Sequence, residues 1–352
     1  MVRSETRPTA GPTLEDVARE AGVSRATVSR VVNGSPTVAE HLQLAVMRAI
    51  ATVGYVPNRA ARQLMTGRSG VIALVTSIEL DVDSQSLVRP HPQIYGDPFF
   101  GRIVDGVLGY LAPRRVHPLI MLAENALSRS AVLEQMRQHA VDGALVVSTD
   151  PADPLPAQLA EEELPAVFFA QPKPHLPFDY VDLAHQDGGR LVAERLIKLG
   201  RRRVAAISGP ANLNASESRI DGFRNAMARH GVGYVAVAQG NFTQASGELA
   251  MRDLLLQEPD VDGVFAANDL MAVGALHVLA EQGRRVPEDV AVIGFDDSSA
   301  ALAARPQLTT VRQPVEEMAA RMARLLLERL DDPERRPQAE LFDAELIVRS
   351  SA

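Results

Sequence analysis

The 352-residue chain contains no cysteine and no tryptophan. Without thiols it can form neither disulfides nor thiolate metal sites, which agrees with a reducing compartment. Its eight histidines are scattered, and HExxH, GxxxxGK, GxSxG and a GxGxxG in a strand-to-helix context are all missing. These absences argue against a zinc protease, a phosphate-cradling P-loop, a nucleophile elbow and a dinucleotide fold, so neither metal nor cofactor is expected. No run is long and apolar enough to span a bilayer, and the opening MVRSETRPTAGP offers no apolar stretch for a secretory signal. The expectation is a cytoplasmic protein with no membrane partner.

What is present begins with size and an uneven charge. The length exceeds one ordinary core, so two or three domains are expected, and 46% hydrophobic residues indicate a globular chain. The net charge is -8, yet residues 1 to 69 hold nine arginines against five acids, leaving 27 basic and 39 acidic groups for the rest. A basic head on an acidic body points to a polyanionic partner for the head, although so small an excess is also compatible with a solvated charge fluctuation.

The head carries two short helical patterns. Thr13 stands at N-cap spacing from Asp16, and Leu14, Val17, Ala18 and Ala21 recur at helical intervals until Gly22. After Gly22-Val23, Ser24 can cap a second helix with Val28, Val31 and Val32 inward and Arg25, Ala26, Ser29 and Arg30 outward. The pair reads as a helix-turn-helix, its β-branched second helix dependent on packing. An arginine early in such a helix can donate two parallel hydrogen bonds to guanine, and an alanine can meet a thymine methyl. Serine and threonine hydroxyls suit phosphate oxygens. A helical hairpin that only packs is the alternative. A third helix is expected from about 39 to 52, closed by Gly54, and YVPNRAARQLMTGRS then reads as a helix of about eight residues, too short to be stable alone.

TLEDVAREAGVSRATVSRVVNG and VPNRAARQLMTGRSGVIALV resemble the DNA-reading head and the hinge of the lac repressor (LacI/GalR) family. The resemblance implies that Arg25 and Ala26 choose base pairs, that Arg30 adds a base contact, and that Leu64 enters the minor groove as an apolar wedge. The implied DNA-facing set is Thr13, Ser24, Arg25, Ala26, Thr27, Ser29, Arg30, Asn33, Asn58 and Leu64. Ala39, Leu42 and Gln43 depart from the family's usual cap and Thr-Arg in helix three, which predicts a weaker grip on the backbone.

Beyond residue 70, apolar runs alternate with amphipathic helical stretches: VIALVTSI, PLIMLA, GALVVST, RVAAISG, GVFAAN and VAVIGFD. Such runs predict parallel strands buried on both faces, with ligands bound beyond the strands' carboxyl ends. Near those ends stand Phe99, Phe100, Ser148, Arg219, Phe242, Asn268 and Asp296, a set suited to a small polyhydroxylated ligand. The bland alternatives are that Asn268 and Asp269 serve to cap the helix after them, Asp269 above all, that Asp296 and Asp297 sit in a satisfied turn, and that Arg219 pairs with Asp221.

SESRIDGF, VFAANDLMAVGAL, DVAVIGFDDS and LTTVRQP resemble the same family's two-lobed core, akin to periplasmic sugar-binding proteins. The implied fold is a helix-turn-helix head and hinge helix on an α/β core with parallel sheets. The implied domains are a disordered tail 1–12, a head 13–56, a hinge helix 57–69 and a core 70–352. Within the core one lobe is expected at about 70–170 and 309–330, the other at about 171–308 and 331–352. The family's frequent Asp-Asn is Ala184-His185 here, so no function is carried onto it, and residues 80 to 97 exceed the usual connection, reading as a lid or a plain loop. The resemblance implies a non-enzymatic, sugar-responsive repressor that binds a roughly palindromic operator as a homodimer. A purine-responsive regulator of the same architecture and an exported solute-binding protein are the rivals. LIVRSSA has no apolar heptads, so no tetramer is expected.

Overall fold

The computed structural model describes residues 12–32, 38–55, 67–77, 98–148, 152–172, 175–211 and 213–352. The expected tail up to residue 11, the hinge from 57 to 66, the segment 80–97, and Asn33, Asn58 and Leu64 lie outside the described residues. The chain divides into two compact units, Met1–Gly70 and Val71–Ala352.

Among the described residues of the first unit, three helices enclose a small core. Helix α1 (Leu14–Ala21) opens with a reciprocal capping box between Thr13 and Asp16 and stops at Gly22, whose φ of 66° is the left-handed conformation glycine adopts without strain. Helix α2 (Arg25–Val32) starts where Ser24 Oγ accepts the Thr27 N–H at 3.1 Å. Helix α3 (Glu40–Val53) begins at Ala39 with no side-chain cap, and Gln43 Nε2 donates instead to the Val38 carbonyl at 2.7 Å. Val17, Ala18, Val28, Val46 and Ala49 are buried together, which holds the valine-rich α2 in helical form despite its weak propensity.

The second unit consists of two six-stranded sheets. The first contains β1 (Val71–Ser77), β2 (His117–Ala123), β3 (Ala144–Ser148), β4 (Ala166–Phe169), β5 (Asp179–Leu183) and β11 (Ala339–Phe342) in the order β11-β5-β4-β3-β1-β2, all parallel. The second contains β6 (Val204–Ser208), β7 (Ala236–Gln239), β8 (Gly263–Ala266), β9 (Ala291–Asp296), β10 (Thr309–Arg312) and β12 (Glu345–Ile347) in the order β12-β10-β9-β8-β6-β7, with β12 antiparallel. Described helices of this unit are α4 (Pro98–Leu111), α5 (Ala126–Arg137), α6 (Leu155–Glu161), α7 (His185–Lys198), α8 (Asn214–Arg229), α9 (Gln244–Gln257), α10 (Asp269–Glu281), α11 (Ser299–Ala303) and α12 (Val315–Asp331).

The sheets correct the lobe boundaries expected from sequence. Strand β5 lies in the first sheet and β10 in the second, and the last two strands are split, β11 to the first and β12 to the second. The chain therefore crosses between lobes after Leu183, after Arg312 and after Phe342. Burial on both faces also fails for β2, whose Leu119 and Ile120 are 41% and 43% exposed, because it is the edge strand.

Two glycines set the placement of the candidate ligand residues. A Cβ on Gly189 would lie 2.0 Å from the Arg219 carbonyl oxygen, and one on Gly222 would lie 2.0 Å from that of Gln186. Only hydrogen at both positions lets α7 and α8 pack backbone to backbone, which brings the start of α7 against Arg219.

Candidate functional site

In the first unit, Arg25, Ala26 and Arg30 are exposed on one side of α2, while Val28 faces the core. Arg25 Nε stands 3.1 Å from Glu15 Oε1, with both side chains more than half exposed. An ion pair so wetted contributes at most about 1 kcal/mol, so it leaves the guanidinium free to exchange that carboxylate for a base edge. The hydroxyls are less free than the sequence suggests. Thr13 Oγ1 donates to Asp16 Oδ2 at 2.8 Å, and Ser24 and Thr27 bond to each other at 2.9 Å. One proton of that pair is consumed internally and the other stays available to a phosphate. Ser29 is half-buried.

In the second unit the candidate ligand residues gather at the carboxyl ends of the second sheet. Arg219, from α8, is 5% exposed and engages every guanidinium nitrogen. Its Nε donates to His185 Nδ1 at 3.2 Å, Nη1 to the Ala267 carbonyl at 2.6 Å and Asp296 Oδ1 at 3.4 Å, and Nη2 to Gln313 Oε1 at 3.1 Å. The guanidinium lies 3.8 Å over the Phe295 ring, a cation–π contact in a water-poor setting. Asp221, the alternative partner, is exposed on the other side of the helix.

Asn268, rather than Asp269, is the N-cap of α10: its Oδ1 accepts the Met271 N–H at 2.9 Å, and its Nδ2 donates to the Phe242 carbonyl at 2.9 Å. Asp269 instead accepts from Ser298 N and Oγ, at 2.7 and 2.9 Å, and from Thr310 Oγ1 at 2.6 Å, tying α10 to β10. Phe242 rests on Gly209, where a Cβ would meet its ring at 2.3 Å. Phe242 and Asp296 have φ of 66° and 105°, backbone values a side chain adopts only under constraint, and such strain clusters at binding sites. Asp297 accepts from Arg312 at 2.8 Å and Arg349 at 2.5 Å, so it is a structural residue of a satisfied turn.

From the first lobe, Phe99 is half-buried and meets Phe169 edge to face at 5.3 Å. Phe100, expected as a second aromatic wall, is instead buried in the hydrophobic core with Ile103 and Val107. Ser148 ends β3 in register with Ser77 of β1. Sequence reading missed Arg102, which joins the lobes: its Nε and Nη2 reach Glu316 at 2.6 and 2.7 Å, and Nη1 and Nη2 donate to the carbonyls of Asp296 and Gln313 at 2.8 and 2.9 Å. It also missed His185 and Gln313.

Burial pulls the Arg219 guanidinium below its ordinary value, while Asp296, Asp269 and Asp182 hold it up. Burial likewise pushes the Asp269 carboxyl up to about 6, against the hydrogen bonds from Thr310 and Ser298. His185 is lowered by burial and by Arg219, and Asp182 opposes that shift. Among the described residues no group of three or more histidines and acids is placed to hold a metal ion, and no helix is long and apolar enough to cross a membrane.

Comparison with known proteins agrees with both units. Residues 13–58 match the bacterial regulatory proteins of the lacI family, and residues 193–352 match a periplasmic binding protein-like domain. The HTH-type transcriptional regulator CelR of Thermobifida fusca is 42% identical over 97% of this chain and 98% of its own length. The HTH-type transcriptional repressor PurR of Escherichia coli O1:K1 is 33% identical over 96% of each. Among solved structures, a CelR–cellobiose complex aligns with a TM-score of 0.74 at 40% identity, covering 97% of this chain and all of the other. The lac repressor dimer bound to operator and the anti-inducer ONPF aligns at 0.77 and 27% identity, covering 97% and 99%. With a helix-turn-helix ahead of a two-lobed α/β core, and with relatives matched end to end, the chain belongs to the lacI family of bacterial transcriptional regulators, which are not enzymes.

Proposed function

We propose that the protein is a cytoplasmic, homodimeric repressor whose affinity for a roughly palindromic operator is set by a small sugar, of the β-linked disaccharide type. The observation that carries the sugar reading is the convergence of Arg219, Asp296 and Asn268 beside Phe242 at the strand ends. The fifth N–H of Arg219, on Nη2, the second Nδ2 N–H of Asn268, the Asp296 carboxylate and a ring face match the hydroxyls and apolar faces of a sugar. The likeness to a solved CelR–cellobiose complex supports the same reading. In each protomer α2 enters the major groove, with Arg25, Ala26 and Arg30 reading bases and Ser24, Thr27 and Ser29 approaching phosphates; Asn33, Asn58 and Leu64 complete the contact. Effector occupancy changes the relation of the two lobes and thereby operator affinity, a coupling typically of about 1 to 3 kcal/mol.

A pocket that offers phenylalanine and no tryptophan favours one second reading, a purine effector stacked on a phenylalanine ring. Titration calorimetry with cellobiose, other disaccharides and nucleobases tests the two. Heat from a nucleobase and none from any sugar would replace the first reading by the second. Footprinting on DNA upstream of sugar-utilisation genes tests the whole proposal, and a folded dimer that protects no site would end it.

A further inference from the structure

We infer that His185 is a positioning residue for the effector: its unprotonated Nδ1 fixes the plane of the Arg219 guanidinium that meets the ligand. The inference rests on the proposed effector role of Arg219, and it gives a function to the Ala184-His185 pair that the sequence left without one.

The argument is one of donors and acceptors. The Arg219 Nε–H points at His185 Nδ1 across 3.2 Å, and a guanidinium has no acceptor to offer in return. Nδ1 must therefore carry the lone pair, and the ring proton sits on Nε2. That nitrogen stands 3.4 Å from Asp182 Oδ1, which can take the proton's hydrogen bond. Asp182 is itself held by the backbone N–H groups of Leu183 at 2.8 Å and Gln171 at 3.3 Å. The relay runs from the end of β5 in the first lobe, through the first residue of α7, to α8 in the second, so it spans the first crossover.

Among the described residues, Asp182 and Arg219 are the charged groups that act on the imidazole. Asp182 approaches from β5 and Arg219 from α8, with Asp296 of β9 paired to the far side of the guanidinium. From β9 the Phe295 ring lies 6.0 Å away, and Gln313, after β10, reaches Arg219 rather than the histidine. A second ring proton would set donor against donor and cation beside cation in a buried space. Burial and Arg219 accordingly hold the ring below its ordinary value, with Asp182 opposing. The neutral form therefore holds Arg219 at neutral pH, and the acceptor is lost on the acid side of the ordinary histidine value. Effector affinity should fall there, and the fall should vanish when the acceptor is not titratable.

Two variants separate the ends of the ring. The Oδ1 of His185→Asn lies close to where Nδ1 was and keeps an uncharged acceptor for Arg219; His185→Gln reaches toward Asp182 and abandons that acceptor. Calorimetry with cellobiose on the full chain should find the Asn variant within about threefold of wild type at pH 7 and the Gln variant weaker by about tenfold or more, the worth of one hydrogen bond to a charged group. As pH falls below about 6.5, the ordinary histidine value, wild-type affinity should decline and that of the Asn variant should stay level. Long-range proton–nitrogen correlation spectra of the ligand-free wild type should show His185 with a bare Nδ1 and a protonated Nε2, and His185→Gln should shift the Arg219 Nε–H resonance. A protonated Nδ1, or a Gln variant that binds like wild type while the Asn variant fails, overturns the inference. If wild type takes up no sugar, the sugar reading fails on its own, and the two spectroscopic results still decide the role of His185.

Discussion

Arg102 Nη1 donates to the Asp296 carbonyl at 2.8 Å, and the two residues belong to different lobes. The same guanidinium holds Glu316 through two nitrogens and the Gln313 carbonyl through a third contact. A lysine offers no planar fork and would satisfy one or two of these acceptors at a time. Arg102→Lys should lower core stability by about 1 to 3 kcal/mol, read as a lower urea midpoint with an unchanged m-value. An unchanged midpoint would mean that the bridge contributes nothing net.

Arg25→Ala should relax preference at one base pair in each half-site by about 1 to 3 kcal/mol and leave the rest of the recognised sequence intact. Selection from a randomised operator library reads this directly. A variant with the same base preference as wild type would remove Arg25 from the reading set.

Arg219→Lys should keep operator binding and lose the effector response. Lysine cannot reach His185, Ala267, Asp296 and Gln313 together, and the buried acceptors left unpaired would cost about 1 to 3 kcal/mol of stability as well. The change in operator affinity on adding cellobiose, read in a gel-shift assay, is the measurement, and a normal response would remove Arg219 from the effector site.

Asp269 gives a pH dependence with a definite sign. Its folded carboxyl is pushed up to about 6 from the ordinary 3.8, so the folded state binds this proton more tightly than the unfolded chain does. The stabilisation is complete below pH 3.8 and is lost as pH rises through 6, by about 3 kcal/mol in this one group. Other carboxylates act in the opposite direction in acid. The test is therefore a difference: the stability of Asp269→Asn relative to wild type should improve between pH 4 and 7.

Ala39→Ser should supply the cap that α3 lacks and stabilise it by about 1 kcal/mol. Slower amide exchange across residues 40–53, without change in the core, would register it.

The head was legible because its signals are local. Thr13, Gly22, Ser24 and Gly54 mark helix ends by chemistry that acts within a few residues, and the helices they bound lie where the spacing put them. Strands β1, β2, β3, β6, β8 and β9 announced themselves as unbroken apolar runs, although β2 lies at an edge, whereas the short buried β4 (AVFF) was not among the expected strands. Strands β5, β10 and β11 did not: Asp179, Asp182, Thr309, Thr310 and Glu340 interrupt their hydrophobicity, because these segments carry the ion pairs and hydroxyl bonds around the crossovers. The lobe boundaries went astray at those strands for the same reason. Arg219, Asn268 and Asp296 could be picked out by position after a strand, whereas Arg102, Gln313 and His185 act on partners tens to hundreds of residues away, which no local pattern encodes.

Three separate chain passages join the two sheets. A body tethered to another at one point can swivel about it freely, but three roughly side-by-side tethers leave little beyond a single bending coordinate. Whatever enters between the lobes can therefore be reported outward only as a change of one angle, and a residue that alters the sensor's output without touching its ligand should be sought where that angle is set, at the passages after Leu183, Arg312 and Phe342.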